Sequence, residues 1–191
     1  MPVEKGYNKA EEIGKVLAEA KAFLKSLNNE SPAPCIFISH QREDTEDCEP
    51  ITEYLMDAGI NVYFDKYDLT LAQVVQEGDP DEVTQRIQDG INESTHMLCV
   101  VSKNTVKSFW VPFEVGYGYG KIPLAVLTLK GIPDESLPDY MRTTNVVRGT
   151  LSLNEFISKL LGQEGETLAQ RGAIKKHFER HPLDNVLDWN R

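Results

Sequence analysis

From residue 35 to residue 161 the chain alternates short apolar runs with amphipathic stretches, and this alternation constrains the fold more than any other feature. Cys35-Ile36-Phe37-Ile38 is a continuous apolar run, as a strand covered on both faces requires. An acidic stretch leads into a predicted helix at 51–58, closed by Gly59, since glycine accepts the left-handed conformation that ends helices. Ile60-Asn61-Val62-Tyr63-Phe64 reads as the second strand, and a long polar loop follows at 65–80. Val83, Ile87 and Ile91 recur every four residues, which predicts a helix at 81–92. A third strand at 97–101, a helix at 108–120 and a fourth strand at 122–129 come next. A loop with Pro133 and Pro138, a short extended segment at 146–147 and a helix at 153–161 complete the series. Strands and helices in strict alternation imply a parallel sheet with helices on both faces. Right-handed crossovers narrow this to a flavodoxin-like α/β three-layer sandwich with about five parallel strands.

The flanks differ in period. Residues 1–33 hold a predicted amphipathic helix at 7–27, with Ile13, Val16, Leu17, Ala20, Phe23, Leu24 and Leu27 at three- and four-residue spacing. A linker at 28–34 with two prolines follows. Residues 34–162 form the expected domain, and 163–191 a weakly patterned, partly helical extension. The net charge of -10 argues against a nucleic-acid partner, because phosphate neutralisation needs clustered Lys and Arg. No apolar run approaches the roughly 20 residues of a membrane span. Cys35, Cys48 and Cys99 make no CxxC pair and no disulfide framework. A cytoplasmic protein without membrane or nucleic-acid contacts is expected.

In a sheet of this kind ligands bind beyond the carboxyl ends of the strands, where Ser39, Asp65 and Ser102 fall. Trp110 and Glu114 lie four residues apart at the start of a helix and so share one face. Pro112 is tolerable there because a first-turn proline forfeits no intrahelical hydrogen bond. A carboxylate so placed can accept hydrogen bonds from ribose hydroxyls. It can also stabilise the positive oxocarbenium character that builds as a glycosidic bond breaks. The same spacing fits a solvent-facing glutamate beside a core tryptophan.

Four segments resemble the TIR domain family in the right order. They are Ile36-Phe37-Ile38-Ser39-His40, Gly59 through Asp65, Val100-Val101-Ser102, and Ser108-Phe109-Trp110-Val111-Pro112-Phe113-Glu114. The last matches the S-x-W-x-x-x-E helix start of TIR domains with NADase activity. The resemblance implies that NAD+ is the substrate rather than a cofactor, that no metal takes part, and that Glu114 is the essential carboxylate. Nicotinamide is already a cationic leaving group, so one carboxylate suffices. Trp110, Ser108, Ser39, His40, Arg42, Asp65 and Ser102 are the implied substrate-binding residues. For Arg42 the choice stands between the pyrophosphate and a surface ion pair with the acids that follow it. For His40 it stands between a substrate contact and a structural role. The family's second loop closes over the active site, often that of a neighbouring subunit, which implies self-association through 65–80. Here Gly78-Asp79 arrives thirteen and fourteen residues after Asp65, so Thr70 to Glu77 reads as an insertion. The implied products are nicotinamide and ADP-ribose, or a cyclic or conjugated ADP-ribose read by a downstream effector in bacterial anti-phage immunity.

Other readings stay open or fail. A non-catalytic TIR scaffold acting by TIR–TIR contact is the principal alternative. A phosphoacceptor receiver would need paired acids at the first strand end, where Ser39-His40 stand instead. Gly116 to Lys121 resembles a phosphate loop, but it ends a helix and precedes a strand, the reverse of the order a phosphate loop needs. His177 and His181 are one helical turn apart without a third metal-type ligand, so no metal site is expected.

Overall fold

The computed structural model describes residues 4–9, 33–65, 79–176 and 181–189. Five parallel strands form one sheet: β1 (Cys35–Ser39), β2 (Asn61–Tyr63), β3 (His96–Val101), β4 (Leu124–Thr128) and β5 (Asn145–Arg148), in the order β2-β1-β3-β4-β5. Between them run helices α1 (Thr45–Asp57), α2 (Pro80–Asn92), α3 (Trp110–Gly118) and the short α4 (Asp139–Arg142), with α5 (Thr150–Leu161) and α6 (Gly165–Gln170) after the last strand. This is the expected flavodoxin-like arrangement. Right-handed crossovers set α1 on one face and α2 and α3 on the other, and α5, after the last strand, packs beside α1. Tyr54 of α1 donates to Asn154 of α5 at 2.8 Å, and Asn92 of α2 donates to the Tyr117 hydroxyl of α3 at 3.1 Å. The continuous apolar strands follow from this double cover: every residue of β1 is buried, as are Met97 to Val101 of β3.

The element boundaries moved where capping chemistry decided them. α2 begins one residue early, at Pro80, because Asp79 accepts from the Asp81 and Glu82 backbone amides at 3.0 and 3.2 Å. α1 begins six residues earlier than the apolar period suggests, and its acidic first turn, Glu46 and Asp47, suits the positive end of the helix dipole. α3 starts at Trp110 rather than Ser108: the Ser108 hydroxyl accepts from the Val111 amide at 3.0 Å and so stands outside the helix as its cap.

The predicted helix start at Tyr7 is incorrect. Tyr7 and Asn8 run alongside β2, with the Val62 amide donating to the Tyr7 carbonyl at 3.0 Å. The Asn8 side chain both accepts from the Phe64 amide at 3.0 Å and donates to the Phe64 carbonyl at 3.2 Å. Open backbone groups on the edge strand outweighed the helical period of the residues that follow. That predicted helix from residue 10 onward, the loop 66–78 and His177 lie outside the described residues.

The chain beyond α5 adds to the same core. Leu168, Ala173, Ile174, Leu183, Val186 and Leu187 are buried in it, and the Lys130 amide after β4 donates to the Val186 carbonyl at 2.8 Å. Among the described residues no helix is long and apolar enough to cross a membrane, and no group of His, Cys, Asp or Glu could hold a metal ion.

Candidate active site

The chain leaves β1 toward β2 on one side and returns to β3 on the other, so a crevice opens between the carboxyl ends of β1 and β3. Ser39 ends β1, and Ser102 follows the last residue of β3. Over this point lies α3, whose Glu114 is buried with 6% of its surface exposed. The Ser39 hydroxyl donates to Glu114 Oε2 at 2.5 Å. Ser39 itself is fully buried. A serine at the last position of a buried strand is thus the polar partner of a carboxylate that would otherwise be stranded in the core.

Burial pushes the Glu114 carboxyl up to about 8, aided by the nearby Asp65 and opposed by the Ser39 hydrogen bond. The group therefore rests mainly protonated at neutral pH. A carboxyl so strongly perturbed, in a strand-end crevice, is a candidate for chemistry. Trp110 is the reverse of a core tryptophan: 40% of it is exposed, and its ring meets Phe113 edge-on at 5.9 Å. Four-residue spacing placed both side chains toward one face, yet the glutamate is inside and the indole outside. The start of a helix lying over the end of a sheet divides that face between core and crevice.

His40, just past β1, has a side chain only 4% exposed. Its Nε2 lies 3.1 Å from the Thr45 hydroxyl, which spends its own hydrogen on the Arg42 carbonyl at 2.7 Å. Nε2 therefore carries a hydrogen and donates. The ring packs on Phe64 at 4.9 Å, and Nδ1 faces the Asp65 carboxyl at 3.8 Å. His40 thus ties the β1 and β2 ends together. Arg42 is exposed on a turn of 3-10 helix, Arg42–Asp44, and among the described residues its guanidinium pairs with no carboxylate. Of the acids that follow it, Glu43 accepts from the Gln41 side chain and Asp44 from Ser102 and Asn104.

Two of the expected residues are held by local contacts within the loops. The Ser102 hydroxyl donates to Asp44, whose other carboxyl oxygen accepts from Asn104 Nδ2 at 2.7 Å. The Ser102 hydroxyl also accepts from the Asn104 amide at 2.8 Å. Ser108 caps α3, as described above. Asp44, 3% exposed, is a buried residue that the sequence pattern did not single out. Its only signal was an acid in an acidic run, and the run as a whole looked solvated. It joins the loop after β1 to the loop after β3 and so fixes the two lips of the crevice.

The three cysteines are free and buried. Burial raises the thiols of Cys35 and Cys48, and that of Cys99 up to about 12, so none is poised as a thiolate nucleophile. Beyond Ser102 a cavity of about 440 Å³ opens between the end of β3, the first turn of α3 and the segment leading to α4.

The family model described as "TIR domain" matches residues 36–159. The 2' cyclic ADP-D-ribose synthase AbTIR of Acinetobacter baumannii (strain 1295743) is 31% identical over 97 residues, which cover 48% of this chain and 33% of that protein. The match thus spans about a third of that relative's length. The TIR domain of the Toll-related receptor TRR-2 from Hydra magnipapillata, a crystal structure, shares 17% identity with a TM-score of 0.43, covering 58% of this chain and 82% of its own.

Proposed function

The chain belongs to the TIR domain family, and from that membership we propose that it cleaves the bond between nicotinamide and ribose in NAD+, with Glu114 as the essential carboxylate. The observation that carries this reading is the buried Glu114–Ser39 pair at the β1–β3 crevice. The similarity to a 2' cyclic ADP-D-ribose synthase supports the same substrate. In the free protein Glu114 is held mostly neutral by burial. The cationic nicotinamide ring of the substrate compensates a negative charge in the crevice and restores the ionised form. The carboxylate, steadied by the Ser39 hydroxyl, then faces the ribose as positive charge builds on its anomeric carbon. The carbon–nitrogen bond breaks with its electron pair going to nicotinamide, which leaves neutral. Water supplies hydroxide to the ribosyl cation and releases a proton, giving ADP-ribose. A ribose hydroxyl or another nucleophile arriving first gives a cyclic or conjugated product with the same loss of a proton.

Trp110, exposed at the rim, is the natural stacking surface for the leaving ring, and Arg42 is an available cation for the pyrophosphate. Self-association through the loop 65–80 would complete the site, and a nucleotide product would serve as a signal in anti-phage defence. A scaffold that acts by TIR–TIR contact alone would leave NAD+ intact. The test is to incubate wild type and Glu114→Ala with NAD+ at high protein concentration and separate all products by chromatography and mass spectrometry. Nicotinamide released by wild type alone supports the enzyme. NAD+ untouched by both, in buffer and in lysate of phage-infected cells, supports the scaffold.

A further inference from the structure

We infer that the cavity beyond β3 seats the adenine ring of NAD+, an inference that rests on the substrate proposed above. Its walls are Val101 at the end of β3, Val111 and Pro112 in the first turn of α3, and Ile132, Tyr140 and Met141 after β4. Its volume of about 440 Å³ lies within the range of roughly 300–1,000 Å³ typical of small-molecule sites. The sheet register fixes where it lies. Ser39 is opposite Cys99 in the β1–β3 ladder, so the Ser39–Glu114 contact sits at the level of Cys99. Ser102, in the cavity wall, is three residues farther on, about 10 Å at the rise of a strand. On α3, Val111 precedes Glu114 by about one turn, roughly 4.5 Å along the helix axis. The cavity therefore begins several ångströms from the carboxylate, on the outward side of Val111 and Ser102.

NAD+ has two rings, and the cleavage chemistry assigns them. The nicotinamide is bonded to the carbon under attack, so it must lie against Glu114. The adenine is carried away from that carbon by two riboses and a pyrophosphate, and it needs a separate berth. The cavity has the matching chemistry: aliphatic side chains to sandwich a flat ring, and hydroxyls at Ser136 and Tyr140 to meet its polar edge. The Ser136 hydroxyl donates to the Pro133 carbonyl at 2.6 Å, which leaves its oxygen free to accept from an exocyclic amine. Lys103 is exposed, lines the same cavity and directly follows Ser102, so its charge stands between the two ends of the site where a pyrophosphate would pass. On a chain of net charge -10 this local cation selects for an anionic linker.

The experiment compares NAD+ with nicotinamide mononucleotide, which has the same scissile bond and no adenylate, across wild type, Ser136→Phe and Tyr140→Ala. Both variants alter surface-accessible side chains and leave the buried walls in place. The first fills the cavity and the second removes one wall. Each is expected to raise KM for NAD+ roughly tenfold with kcat little changed, and to leave cleavage of nicotinamide mononucleotide as it is in wild type. Equal losses on both substrates, or no change on NAD+, would overturn the inference. A calorimetric titration with ADP-ribose, which carries the adenine and has no bond to cleave, reads the cavity independently of catalysis. If wild type binds ADP-ribose and Ser136→Phe binds it roughly tenfold less well, the adenine site stands even where NAD+ is not cleaved, and only the proposed reaction fails. If both bind ADP-ribose equally, or neither binds it, the adenine site fails whatever the outcome with NAD+.

Discussion

At the scale of single residues, Glu114 is a buried acid whose protonation couples to folding. Its carboxyl is raised from an ordinary 4.5 to about 8 by burial, so the folded state holds a proton there that the unfolded state releases between these values. Stability from this group is therefore full below pH 4.5, falls as pH rises, and levels off above 8. Each pH unit between those two values removes about 1.4 kcal/mol, so the loss at pH 8 is of the order of several kcal/mol. Glu114→Gln keeps the shape without the charge, so its melting temperature should exceed that of wild type by more at pH 8 than at pH 5. A difference independent of pH would show that the carboxyl is not desolvated as described. For the proposed reaction the sign reverses, because the ionised form is the one that would act. For the free enzyme, kcat/KM should rise about tenfold per pH unit below 8 and then level off, while kcat should rise at lower pH because the cationic substrate favours ionisation. A flat kcat/KM from pH 6 to 9 would exclude Glu114 as the group that must ionise. Asp44 makes a separate contribution. Asp44→Ala strands the Ser102 hydroxyl and the Asn104 amide that now donate to it, and should cost about 2–4 kcal/mol in denaturant unfolding.

At the scale of elements, the helices are held to the sheet by close approaches that only small residues permit. Gly90 of α2 lies over Tyr63, and a Cβ there would come within 2.6 Å of the ring. That ring is 1% exposed and stacked on Phe37 at 5.4 Å, so it has nowhere to swing. Gly116 of α3, on the outer side of the same helical layer, would meet nothing within 4 Å. The two substitutions should separate cleanly. Gly90→Ala is expected to destabilise by about 1–3 kcal/mol through overpacking. Gly116→Ala should stabilise by about 0.5–1 kcal/mol, as glycine is a poor helix residue. Chemical denaturation of both variants measures the contrast, and equal effects would contradict the packing described between α2 and β2.

At the scale of the whole molecule, the segment 181–189 straps the carboxyl edge of the sheet to the face made by α1 and α5. The Lys130 side chain donates to the Asp184 carbonyl at 2.7 Å, and the Thr150 amide donates to the Asp188 carbonyl at 2.8 Å. His181 is buried between the rings of Tyr54 and Trp189, at 5.3 and 5.6 Å. Its Nδ1 accepts from the Leu183 amide at 3.2 Å. Burial lowers its pKa below the usual 6.5, with Asp184 opposing, so this group's contribution is present above pH 6.5 and is lost as pH falls below it. Leu183, fully buried, anchors the strap. Leu183→Ala should cost about 2–4 kcal/mol in unfolding free energy. A loss below about 0.5 kcal/mol, the range of ordinary surface changes, would mean that the strap is not part of the cooperative unit.

The alternation of apolar runs and amphipathic stretches determined the sheet and its parallel sense, because both depend on which faces of an element must avoid water. The S-x-W-x-x-x-E start of α3 singled out Glu114 as the candidate carboxylate. Sequence could not tell that this glutamate is inside and Trp110 outside, since helical spacing gives a face and not what covers it. Nor could it separate Asp44 from the exposed acids around it, or pair it with Ser102 and Asn104. Those roles are set by partners 58 and 60 residues away in the chain, joined only when β1 and β3 lie side by side. The backbone of Tyr7 followed the same rule, taking up the open edge of β2 in place of a helical turn. Local pattern decided which elements form. Burial and distant hydrogen-bond partners decided what each polar side chain does.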